Sequence, residues 1–134
     1  MSPRTGAGAY ASVGVESSVL TASPHQLINM LFDGAGVAIR MAGMHMQAGH
    51  TARKGEAISR ALDIVNNGLL AALDVQRGGE LAQRLAALYE YIARRLLSAN
   101  LDNDKAALDE AGQLLEEIGS AWRDIGPRAG HPST

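Results

Sequence analysis

The chain has no cysteine, which excludes disulfides, thiolate chemistry and cysteine-ligated zinc and is compatible with a reducing compartment. It lacks charge of one sign. Lys and Arg number 12 against 14 Asp and Glu, a formal net charge of -2, so no overall field draws nucleic acid or an anionic membrane toward it. No uninterrupted apolar run reaches membrane-spanning length, and the opening MSPRTGAGAYASVG has no apolar core of the secretory-signal kind. The expected location is cytoplasmic, without direct membrane insertion. The Glu-x-x-His pairs of di-iron bundles are missing too, since the helical glutamates lack a histidine three positions on. Tyr89 and Tyr91 fall on different sides of one helix and make no platform for stacked bases, so no nucleic-acid partner is expected.

What is present is the composition of one globular domain: 134 residues, 46% hydrophobic and 19% charged. Residues 1–21 are rich in Gly, Ala and Ser and read as a flexible N-terminal segment, although Tyr10, Val13, Val15, Val19 and Leu20 provide docking side chains. Ser23, Pro24 and Gln26 form a capping serine, a first-turn proline and a reciprocal Gln, which predict a helix to about Met46. Gln47 to Gly55 reads as a connection, with Thr51 as a cap. A second helix is predicted over about Ala52–Gln76, stopped by Gly78 and Gly79. Glu80–Asn100 follows as a third helix, with Leu81, Leu85, Leu88, Ile92, Leu96 and Ala99 on one face. A fourth starts at Asp104 and runs to about Ile125 on the stripe Leu108, Ala111, Leu115, Ile118 and Trp122. Residues 126–134 carry two prolines and no periodicity, and read as a disordered tail. The fold class is therefore all-α, an antiparallel up-down four-helix bundle over residues 22–125, sufficient without a cofactor.

Three of these helices are more apolar than one core demands. On the first, Ile28, Phe32 and Ile39 lie on one flank and Met30, Val37, Met41 and Met44 on the other; Ile64 and Ala71 widen the second, and Ala86, Ala93 and Leu97 the third. The fourth has an ordinary polar back. Other chemistry is thinner. Met41, Met44, His45, Met46 and His50 are soft ligands of the Cu(I) type, but methionine at helical spacing is more often core filling. His25 has no nucleophile and carboxylate set around it and reads as a solvated helix-terminus histidine. Arg94 and Arg95 complement the helix dipole or face a partner. No catalytic, metal or cofactor residues are assigned.

The segments AYASVGVESSVLTASPHQLINMLFDGA at Ala9–Ala35, KGEAISRALDIVNNGLLAALD at Lys54–Asp74 and GGELAQRLAALYEYIARRLLSANLDND at Gly78–Asp104, with Ala121 and Trp122, resemble the FliS family of flagellar secretion chaperones. The resemblance implies a non-enzymatic helical bundle that binds the C-terminal disordered region of flagellin, prevents premature polymerisation and presents it to an export-gate protein's cytoplasmic domain. It places Tyr10 at the family's latch or gate-contact position. Relatives often have a further tyrosine or large aliphatic residue just upstream, where this chain has Thr5, Gly6, Ala7 and Gly8. The expected flagellin contacts are the surplus apolar positions Ile28, Phe32, Ile39, Ile64, Ala71, Ala86, Ala93 and Leu97, taken as exposed. The competing classes are a Cu(I)-binding bundle and a bundle that self-associates to cover its apolar sides; the free oligomeric state is left open.

Overall fold

A computed structural model describes residues 22–126. The expectations for the flexible segment 1–21, including Tyr10, and for the tail beyond Gly126 lie outside the described residues. Within them the chain forms four helices: α1 (Pro24–Ala48), α2 (Thr51–Asp63, continued as a π-helical stretch Ile64–Leu70), α3 (Val75–Asp102) and α4 (Lys105–Ile125). The α1 start is the capping box read from sequence: the Gln26 N–H donates to Ser23 Oγ at 3.1 Å and the Ser23 N–H to Gln26 Oε1 at 2.8 Å. Gly49 (φ 76°) ends α1 in the left-handed region. The first connection thus shrinks to Gly49 and His50, and Thr51 is the first residue of α2 rather than its cap.

The second boundary differs most from expectation. Helix α2 ends at Leu70, and Asp74 caps the next helix by accepting the Arg77 N–H at 3.0 Å. Gly78 and Gly79 therefore do not stop α2. They lie inside the next element, where Gly79 (φ 60°, ψ -140°) breaks a first short turn from the main body of α3. That conformation is open only to glycine, so a kink replaces the expected stop.

The helices form a ring in which α1 packs on α2 and α4, and α3 packs on α2 and α4. Neighbours run antiparallel. Trp122 Nε1 near the end of α4 donates to the His25 carbonyl at the start of α1 at 3.1 Å, while Lys105 at the start of α4 meets Gly43 late in α1. Lys54, only 3% exposed, donates from its ammonium to the Asn100 carbonyl at 3.0 Å and to Asn103 Oδ1 at 3.1 Å, tying the start of α2 to the end of α3. Its charge meets the negative end of the α3 dipole, which offsets burial without a carboxylate. Tyr91 OH donates to Glu110 at 2.9 Å and Arg95 Nε to the same carboxylate at 2.6 Å, closing α3 on α4.

At the centre lie Ile58, Val65, Leu69, Ile92, Leu96 and Leu108, all fully buried, each worth about 1.5–3 kcal/mol of transfer free energy. Two residues depart from their expected places. Leu81, read onto the buried face of α3, is 69% exposed: it lies two residues past the Gly79 kink, which resets the face that the helix turns inward, so that Ala82 is buried instead. His25, read as solvated, is 4% exposed and stacks on Trp122 with ring centroids 4.8 Å apart. Helix α1 is long and apolar enough to cross a membrane by length and composition alone. Its Phe32, Ala35, Ala38, Ile39 and Ala42 are instead buried against the other helices.

Candidate functional site

A groove of ≈ 1010 Å³ runs along the seam of α1 and α4. Its cause is a shortage of side chains on both walls. Gly112 and Gly119 lie one heptad apart on α4, and a Cβ added there would stand 3.2 Å from Ile39 and 3.1 Å from Phe32. Those two α1 side chains sink into the glycine gaps and are buried, at 6% and 5% exposure. On α1, Gly36 and Gly43 leave the groove floor low, and Val37 and Met44 stand beside it, 47% and 67% exposed. The walls are apolar and the rim is charged. Arg123 Nη2 reaches Glu116 at 3.2 Å and its Nη1 reaches Asp33 across the seam at 3.9 Å, while Lys105 pairs with Asp109 at 2.8 Å.

The predicted contact residues divide unevenly around this groove. Phe32 and Ile39 line it, but from within the core, so the expectation that they are exposed is corrected. Ala93 is likewise buried, on α3. Ile28 and Ile64 are half-buried, with Ile64 Cδ1 3.3 Å from where a Cβ of Gly34 would stand, so it serves the α1–α2 contact. Ala86 is half-buried, Ala71 is exposed just past the π-helical stretch, and Leu97 is 47% exposed on α3. None of these last six lines the groove. The surplus on α1 is real but lies on the opposite flank, at Val37, Met41 and Met44, and α4 is a wall of the site rather than a plain core helix. The signal overlooked in the sequence is the pair of seven-residue glycine spacings, Gly36 with Gly43 and Gly112 with Gly119.

The soft-ligand set disperses. Met44 lines the groove, Met41 lines a separate ≈ 200 Å³ cleft with His45, Arg53 and Arg60, and Met46 packs on the core. Among the described residues no three His, Asp or Glu side chains converge as metal ligands. Of the adjacent pair of arginines in α3, Arg95 belongs to the Glu110 pair and Arg94 lies over the Tyr91 ring at 5.8 Å. Burial pushes the Tyr89 hydroxyl up to about 12. Tyr91 is also raised, chiefly because its hydroxyl donates to Glu110 and would lose that bond on ionisation.

Residues 6–129 match the family described as Flagellar protein FliS. The chain is 52% identical over 125 residues to the flagellar secretion chaperone FliS of Salmonella typhimurium, covering 93% of each chain. It is 46% identical to that of Escherichia coli K12, over 89% of this chain and 88% of the other. With the Bacillus subtilis protein of the same name it shares 32% identity over 81% of this chain and 79% of the relative. A four-helix bundle open along one seam, matched nearly end to end by these relatives, belongs to the FliS family of flagellar secretion chaperones.

Proposed function

We propose that this protein is a cytoplasmic export chaperone whose client is the C-terminal disordered region of flagellin, held in the α1–α4 groove. The observation that carries the reading is the groove itself: Val37 and Met44 remain exposed on α1, above a floor kept low by Gly36 and Gly43. Such a trough accepts the apolar face of a segment that folds on binding, and burial of that face offsets the several kcal/mol of ordering that a disordered client loses. A bound client has its assembly-competent segment covered, which is how polymerisation is held off until delivery to the export gate. Tyr10, at the family's latch position, is proposed as a gate contact or groove cover.

The test is co-purification with flagellin, full length and lacking its C-terminus. Full-length flagellin is expected to be retained and the truncated form lost. In the protein itself, Val37→Asp and Met44→Asp are expected to abolish retention while the helical circular dichroism stays unchanged. Retention of flagellin by both variants overturns the groove as the site.

A further inference from the structure

The groove lining carries three carboxylates and three cations, and their pairing is unequal. Asp33 and Glu116 share Arg123, and Asp109 takes Lys105. Arg40 also lines the groove and is exposed, yet it makes no ion pair with any carboxylate among the described residues. Its guanidinium folds back along α1 over Gly36, where an added Cβ would stand 3.4 Å from Nη1. The missing side chain at Gly36 therefore gives the charge a place on the groove floor. Asp33 lies seven residues before Arg40, two turns along the same face, or about 10 Å. Around Asp33 two carboxylates face one cation, a local excess of negative charge. Around Arg40 the excess is positive.

We infer that Arg40 is a charge-selecting residue of the groove, which pairs with a carboxylate side chain flanking the apolar face of the occupant. The inference rests on the groove being the client site and adds the chemistry of the client: an amphipathic segment with an acidic residue set beside Arg40. The adjacent Asp33–Arg123–Glu116 cluster disfavours a second acidic residue about two turns away, so the groove also distinguishes the two directions in which a segment can lie. Because Arg40 is exposed, such a pair contributes modestly to affinity, and its planar, bidentate fork contributes mainly geometric specificity.

The test measures flagellin affinity by calorimetry for Arg40→Gln, Arg40→Glu and the control Val37→Asp, at low and high salt, with circular dichroism on each. Arg40→Gln is expected to weaken binding about five-fold at low salt and Arg40→Glu by about ten-fold or more, with the difference shrinking at high salt. One Asp or Glu to Lys reversal in the flagellin C-terminal segment is expected to recover binding to Arg40→Glu and to weaken binding to the unaltered protein. If Val37→Asp loses flagellin but both Arg40 variants bind it normally, the charge inference fails and the groove reading stands. If Arg40→Glu is weakened and no reversal recovers it, the carboxylate pairing is overturned. If Val37→Asp also binds normally, the groove reading falls and this inference with it.

Discussion

At the scale of single residues, the glycines of α4 decide which apolar side chains are core and which are surface. Phe32 and Ile39 occupy the space opposite Gly119 and Gly112, so Phe32→Ala is expected to cost about 3 kcal/mol in denaturant unfolding. Phe32→Asp, which buries an unpaired charge, is expected to leave no stable bundle by circular dichroism. Gly119→Ala forces Phe32 out of its gap, with an expected loss of about 1–3 kcal/mol. Gly36→Ala is expected to do the reverse. Its Cβ meets only the end of the flexible Arg40 side chain, so helix propensity gains about 0.5–1 kcal/mol while the groove floor rises and flagellin affinity falls. Tyr89 gives an alkaline signature. With its folded value near 12 against an ordinary 10, the folded state keeps a proton that the unfolded chain has lost. Its contribution is therefore fully present below pH 10 and is lost as pH rises toward 12, a drop of about 2–3 kcal/mol. Tyr89→Phe should flatten that part of the stability curve, measured by urea titration at successive pH values. Periodicity alone puts Phe32 and Ile39 beside the stripe and cannot tell a flank facing a neighbour's glycine from one facing water, which is why both are expected to be exposed and are buried instead.

At the scale of elements, the caps were legible and the breaks were not. Ser23 with Gln26, and Asp104, act on a few neighbouring residues, and both cap as their local chemistry predicts. The end of α2 depends on tertiary packing. Its π-helical turns bring Gly68 against Leu31 of α1, where a Cβ would stand 3.0 Å from Leu31 Cδ2, and no spacing rule anticipates a widened helix at that contact. Gly78 and Gly79 read as a stop for the same reason, since a kink and a terminus ask for the same residue. The buried lysine is the element-scale surprise. Lys54 stitches α2 to the Asn100 carbonyl and the Asn103 side-chain amide at the end of α3, so Lys54→Ala is expected to destabilise the bundle by about 2 kcal/mol. The Asn100–Asn103 backbone should then show faster amide exchange than the centre of α3, where exchange is unchanged.

At the scale of the whole molecule, four amphipathic stretches with short joints were enough to specify the antiparallel ring, because only that topology buries every stripe with so little connecting chain. The opening along one seam was not specified, since it arises from which pair of helices is short of side chains. Removing residues 1–14 is expected to leave the bundle folded and to change either flagellin affinity or binding to the export gate; calorimetry on both partners checks this, and no change in either removes the latch and gate roles proposed for Tyr10. Phe32 and Ile39 have one side in the core and the other in the groove, so the seam proposed to receive a client is also the joint between α1 and α4. Occupancy and unfolding are consequently linked by mass action: at a hundred times its dissociation constant, a ligand of the groove raises the free energy of unfolding by about 2.7 kcal/mol. Melting temperature then reports saturation of the chaperone, and a melting curve that rises with flagellin concentration measures client loading without a label.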